Sequence, residues 1–188
     1  MVGILALQGD VREHEEILRK LKVPYSLVKL PADLKKINRL IIPGGESTTI
    51  GKLLARFKLL QPIRNRIRKG MPVWGTCAGG ILLAKRLADG LPRQPMLAVM
   101  NITARRNAFG RQLDSFEASV RMPSVSKKTV PVHFIRAPIF EKPRKSVEVL
   151  ARLSDRRIIA ARERNMLITS FHPELVGTTD LHRYFLTF

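Results

Sequence analysis

Short apolar runs alternate with amphipathic stretches through the first half of the chain. "GILAL" (3–7) is a continuous apolar run of strand length, and the residues from Asp10 onward switch to a helical period. There Val11, Ile17, Leu18 and Leu21 share one face and charged residues fill the other, which predicts an amphipathic helix. His14 is grouped with the polar positions and read as solvated. "YSLVKL" (25–30) and "RLIIP" (39–43) read as a second and a third strand. The third ends in "GGESTT", where Ser47 or a neighbouring Thr is expected to cap the helix "TIGKLLARFKLL". "NRIRKG" closes a further helix with Gly70 beyond its end. "PVWGT" (72–76) is a fourth strand, and "AGGILLAKRLA" after Cys77 has a helical pattern. Near-continuous apolar strands separated by helices predict a parallel sheet covered on both faces.

Beyond residue 95 the pattern changes. "MLAVMNITARR", "DSFEASVRM", "VPVHFIRAP", "VEVLARLS", "RIIAARER" and "MLITSF" are short β-type runs separated by turn residues, and "DLHRYFLTF" reads as a closing helix. The expectation is a mixed sheet with an antiparallel extension and at least one strand returning to the parallel part. No linker, repeat or low-complexity segment divides the chain, so residues 1–188 are read as one domain. Ligands of such a sheet gather beyond the carboxyl ends of its parallel strands.

Composition narrows the class. With 45% hydrophobic residues the chain is globular rather than disordered, and no apolar run reaches bilayer-spanning length. The N-terminal residues carry no signal-peptide pattern, and one cysteine makes no internal disulfide, so a cytoplasmic location is expected. Charge is the unusual quantity: 34 Lys and Arg stand against 15 Asp and Glu, a net +19. That excess suits nucleic acid or another anionic partner. The basic residues are dispersed, however, no nucleic-acid motif organises them, and aromatics are 6% of the chain, so nucleic-acid binding is not expected.

Candidate chemistry sits where apolar strands stop. Cys77 follows "PVWGT" and precedes a helix, and Gly75, Gly79 and Gly80 suit a tight turn. Such a site exposes a thiol to a helix N-terminus, which favours the thiolate. On those grounds alone Cys77 is equally well a buried, inert thiol. "SFHPEL" (170–175) supplies His172 as a base for the thiol and Glu174 to orient the imidazole, with Pro173 stiffening the link. "PGGES" (43–47) offers backbone N–H groups to a carboxylate or an oxyanion, and it lacks the Lys-Ser/Thr of a phosphate loop.

Together "GTCAGG" and "FHPE" resemble the class I glutamine amidotransferases. "LALQGDVREH", "IIPGGESTTI", "RRNAFGRQLDSFE", "FIRAP" and "SFHPEL…LHRYF" are similar to one branch, the glutaminase subunits of pyridoxal 5′-phosphate synthase, across essentially the whole chain. The resemblance implies a three-layer α/β/α, flavodoxin-like fold and hydrolysis of L-glutamine to L-glutamate and ammonia. The ammonia passes to a separate (β/α)8-barrel synthase subunit that builds the vitamin B6 cofactor. Cys77 is implied as nucleophile, His172 as general base and acid, and Glu174 as its orienting residue. Substrate contacts are implied from Gly45, Glu46, Ser47, Arg106, Ile135 and Arg136, an oxyanion hole from N–H groups near Gly45 and Ala78, and a partner-facing role for Gln8. Family subunits are nearly inactive alone, and docking of the synthase orders the oxyanion loop. No metal and no cofactor is implied. Other readings are the glutaminase of another amidotransferase, such as imidazole glycerol phosphate synthase, and a basic nucleic-acid-binding protein on the same fold. "LQGD" with "RNAFGRQ" disfavours the former. Three positions depart from the branch. Gly80 replaces a larger apolar residue, which predicts a looser start to the elbow helix; Ala98 replaces a glycine; and Asn101 replaces an acid.

Overall fold

A computed structural model describes residues 1–90, 94–106 and 115–188. Within "RRNAFGRQLDSFE", residues 107–114 lie outside the described residues. The first half runs β1 (Val2–Leu5), α1 (Val11–Lys20), β2 (Tyr25–Val28), β3 (Arg39–Ile42), α2 (Ser47–Arg56), α3 (Leu60–Arg68), β4 (Val73–Thr76) and α4 (Ala78–Leu83). The second half adds β5 (Ala84–Leu87), β6 (Met100–Arg105), β7 (Ser115–Arg121), β8 (Thr129–Ile135), β9 (Ile139–Glu141), β10 (Glu148–Arg152), β11 (Ile158–Glu163), β12 (Met166–Thr169) and α5 (Asp180–Leu186).

The main sheet has the order β2-β1-β3-β4-β12-β11-β9-β6-β5, with β10 beside β11. From β2 to β12 every neighbour is parallel, and the antiparallel pairings begin at β12–β11. β12 is therefore the strand that returns to the parallel half, and β7 and β8 form a separate antiparallel ribbon. Successive residues of β3 show why three layers form. Leu40 and Ile42 pack with α2, α3 and α4 on one face, while Ile41 packs with Leu18, Phe171, Leu181 and the β7–β8 ribbon on the other. The α/β, mixed and mainly parallel reading holds.

Two local expectations do not hold. The helical pattern after Cys77 stops at Leu83, and Ala84–Leu87 form β5 because they find a parallel partner in β6. The cap of α2 is Glu46, whose carboxylate accepts from the N–H groups of Thr48 (3.0 Å) and Thr49 (2.6 Å), rather than Ser47 or a threonine.

The three departures have local reasons or costs. Gly80 does not loosen the elbow: a Cβ there would lie 2.8 Å from Cζ of Phe140, so that ring fills the space, and Ile81 N–H donates to the Cys77 carbonyl at 3.1 Å. Asn101 donates to Glu163 from both its backbone and its side-chain nitrogen at 2.7 Å, where an acid would set two carboxylates together. Ala98 has φ +52°, a left-handed conformation that suits glycine. Relief of that strain, less the extra freedom of an unfolded glycine, makes Ala98→Gly more stable by about 0.5–1 kcal/mol. Urea unfolding checks this, and a lowered midpoint would show the residue to be unstrained.

Candidate active site

Four adjacent parallel strands, β1, β3, β4 and β12, end beside one another. Their following residues supply Gln8 and Asp10, the Gly44–Ser47 loop, Cys77, and His172 with Glu174. One cavity of about 380 Å³ collects all of these except Gly44 and Glu174. Gln8, Gly45, Glu46, Ser47, Cys77, Ala78, Arg106, Ile135, Arg136 and His172 all line it, as do Asp10 and Ile81. Glu174 does not reach the cavity and sits buried behind His172.

Cys77 occupies the turn between β4 and α4 with φ +45° and ψ −103°, a strained conformation for a residue with a side chain. Its N–H donates to the Thr169 carbonyl at 2.8 Å, which ties the turn to the end of β12. The turn closes tightly because Gly79 carries no Cβ; one built there would lie 2.1 Å from the Ile42 carbonyl oxygen. Gly44 serves the site in the same way, since a Cβ would stand 2.2 Å from Cε1 of His172 and 2.6 Å from Oδ2 of Asp10.

His172 is placed by backbone and side chain alike. Its N–H donates to the His133 carbonyl at 2.7 Å, and its Nδ1 meets Glu174 Oε1 at 2.9 Å. Asp10 Oδ2 approaches the same Nδ1 at 3.2 Å, so two carboxylates share one imidazole N–H. Burial opposes a charge on His172, but its contacts with Asp10, Cys77 and Glu174 outweigh that and push its pKa up to about 12. Burial pushes the Glu174 carboxyl up, with His172 opposing. The arrangement favours an imidazolium beside Cys77, and a neighbouring imidazolium is the kind of group that activates a cysteine nucleophile. The ligand atoms of Asp10, His172 and Glu174 also lie within 4.8 Å of one another, near enough to hold a cation. A cation bound at Nδ1 would displace its hydrogen bond to Glu174, so ligation and this arrangement exclude each other.

The Gly-rich loop is latched. Glu46 N–H donates to Oε1 of Gln8 at 2.8 Å, and Gly45 has φ +147°. Gln8 thus occupies one of the loop donors that the sequence pattern assigns to an anion. Arg106 is held by the Asp89 carbonyl (2.7 Å from its guanidinium) and, through its backbone N–H, by the Asp89 carboxylate at 3.0 Å. Arg136 lines the cavity with φ +40°.

Asp10, His14 and His182 belong to this neighbourhood, although their sequence settings do not single them out for function. His14 is not solvated, as its grouping with charged positions predicts, but fully buried against Trp74, with Nδ1 2.9 Å from Nε2 of His182. Its spacing carried the signal: Ile17, Leu18 and Leu21 stand three, four and seven residues on, which puts His14 on the apolar face. Burial, with His182 and His172 nearby, holds its pKa well below the ordinary value, and burial takes His182 down to about 3.

These shifts set an expected pH profile for stability. An unfolded chain protonates His14 and His182 near pH 6.5, so as pH falls below that value each costs roughly 1.4 kcal/mol per unit. The contribution of His172 has the opposite sign: it is complete below about 6.5 and is lost as pH rises toward 12, and Glu174 with its raised carboxyl acts in that same sense. Thermal midpoints of the isolated chain between pH 5 and 9 should therefore peak near pH 6–7 and fall on both sides. A continuous rise across that range would contradict a neutral His14 and His182 beside a charged His172.

Known proteins match the chain in sequence and fold over nearly its whole length. The profile of the SNO glutamine amidotransferase family matches residues 4–188. The chain is 57% identical over 185 residues to "Pyridoxal 5′-phosphate synthase subunit PdxT" of Roseiflexus castenholzii, covering 98% of each. It is 56% identical over 186 residues to the protein of the same name from Herpetosiphon aurantiacus, again covering 98% of each. A crystal structure described as a glutamine amidotransferase superposes with TM-score 0.93 at 45% identity, over 99% of this chain and 97% of the other.

Proposed function

The chain belongs to the SNO glutamine amidotransferase family, and from that membership we propose its role as the glutaminase subunit of a pyridoxal 5′-phosphate synthase. It hydrolyses L-glutamine to L-glutamate and ammonia, and a separate synthase subunit uses the ammonia. Residues 1–188 act as one glutaminase domain. No helix among the described residues is long and apolar enough to cross a membrane. A reactive, unpaired thiol suits the reducing cytoplasm.

The observation that carries the mechanism is the 2.9 Å contact of His172 Nδ1 with buried Glu174, where His172 lines the same cavity as Cys77 on its strained elbow. The Cys77 thiolate attacks the side-chain amide carbon of glutamine, and N–H groups at Gly45 and Ala78 receive the oxyanion, each donor worth about 10²–10³ in rate. The tetrahedral species collapses by breaking the C–N bond, and His172 gives its proton to the leaving ammonia. That leaves a γ-glutamyl thioester and a neutral imidazole. His172 then takes a proton from water as the water attacks, and glutamate departs with the thiolate restored. The two carboxylates stabilise the imidazolium at both stages, and acylation of Cys77 removes its share of that stabilisation when a base is required. Gly45, Glu46, Ser47, Arg106, Ile135 and Arg136 surround the rest of the substrate, with Arg106 suited to its α-carboxylate. Docking of the synthase acts through Gln8, releasing the Glu46 N–H that it now holds.

The test combines the chain with a pyridoxal 5′-phosphate synthase barrel subunit and measures glutamate and ammonia from glutamine. Release that depends on the barrel supports the assignment. Equal release with the glutamine-dependent synthase of another pathway, or none with the barrel, rejects it.

A further inference from the structure

Behind the site lies a buried pair of imidazoles that take no part in the acyl-transfer steps. We propose that His14 is a positioning residue for the glutaminase site: it presents Nε2–H to the Glu174 carboxylate, and His182 fixes that tautomer by donating Nε2–H to His14 Nδ1. This rests on the glutaminase reading and assigns α1 and α5 a part in it.

The tautomers follow from hydrogen-bond accounting. Nδ1 of His182 is buried with no hydrogen-bond partner among the described residues. A proton there would leave an unpaired N–H, a rarer and costlier condition than an unpaired acceptor. The His182 proton therefore sits on Nε2, 2.9 Å from His14 Nδ1, which must accept it. The proton of His14 is thereby forced onto Nε2. That nitrogen faces Glu174 Oε1 at 3.6 Å and Thr76 Oγ1 at 3.4 Å. At 3.6 Å the approach is charge–dipole rather than a hydrogen bond, and a shift of a few tenths of an ångström during the reaction would close it. Glu174 needs the help: it is buried, Oε1 alone receives His172, and Oε2 has no partner among the described residues. A neutral donor steadies the carboxylate without adding a charge to compete with the imidazolium of His172. The charged and titratable groups facing His14 are His182 from α5, Glu174 from the turn after β12, and His172 beyond it. β4 contributes only Trp74 and Thr76.

Nitrogen-15 NMR of the isolated, histidine-labelled chain tests the tautomers without a variant. Nε2–H is expected at His14 and His182, with neither ring titrating between pH 5 and 8; an Nδ1–H tautomer at His14, or its titration in that range, overturns the proposal. In the complex with the synthase barrel, His14→Phe should lower kcat roughly 10–100-fold with little change in KM for glutamine. It should also move the acid limb of the pH profile upward by about one unit, because the carboxylate loses a donor. His14→Gln, which keeps an N–H, should recover much of both effects. A folded His14→Phe with unchanged kcat and pH profile overturns the proposal, and if that variant does not fold the tautomer measurement decides. Full activity in Cys77→Ala instead removes the glutaminase reading itself, so the two failures are distinct.

Discussion

Cys77→Ala is expected to lower glutamine hydrolysis roughly 10⁴-fold or more in the presence of the synthase subunit, and to leave the fold intact. No second thiol can replace the nucleophile: Cys77 is the only cysteine, and the other polar side chains lining the cavity are those of Gln8, Asp10, Glu46, Ser47, Arg106, Arg136 and His172. Alanine accepts the same φ of +45° at the same cost, so lost activity is not lost structure. Cys77→Gly sharpens the distinction. Glycine relieves the left-handed strain, so this variant should be equally inactive yet more stable by about 1 kcal/mol. A buried cysteine kept only for packing would show the reverse, a stability loss with activity retained. Measuring ammonia release beside urea unfolding for both variants decides it. Substantial turnover in either one would remove the thioester mechanism.

What could be read from residues alone divides by the range of the interactions. The strands β1, β3, β4 and β12 are short apolar runs, and the site residues that follow them directly were legible for that reason. His172 and Glu174 stand two residues apart after such a run, so local spacing brought them together. β5 was not legible, because "AKRL" becomes a strand only through β6, which lies beyond a long connection. Asp10 reads as an ordinary residue at a helix start; its approach to His172 depends on β1 and β12 flanking the β3–β4 pair. At His14 residue type misleads, since the ring is fully buried. Its partner His182 is 168 positions away, and burial became tolerable only with that partner in place.

The basic charge has one consequence close to the catalytic groups. The carboxylates on His172 are two of only fifteen acids in the chain, and they converge on one nitrogen atom in a chain with 34 cationic residues. These two acids stabilise an imidazolium, and the background field of the protein opposes it. Local contact prevails because the pair is buried and short, whereas the dispersed surface charges are screened over about 8–10 Å.

Glu174→Gln is expected to lower kcat roughly 10³-fold, and Asp10→Asn about tenfold or less. Both carboxylates address His172 Nδ1, but the two contacts are unequal. Glu174 is 2.9 Å away and fully buried, so its charge acts through a low dielectric; Asp10 is 3.2 Å away and partly open to the cavity. Glutamine at 174 retains a carbonyl acceptor but loses the charge that stabilises the imidazolium, and Asp10 then supplies part of the deficit. The loss should accordingly stop short of the nearly 10⁴-fold that follows when an orienting acid has no second carboxylate beside it. Removing both should cost more than the product of the single effects, since each single variant leans on the other acid. The rate of Cys77 alkylation by iodoacetamide reads the same coupling in the isolated chain. The alkylation rate at neutral pH should fall most in the double variant, and more for Glu174→Gln than for Asp10→Asn. If Asp10→Asn costs as much as Glu174→Gln, the orienting acid is Asp10, and the buried glutamate serves only to hold the turn after β12.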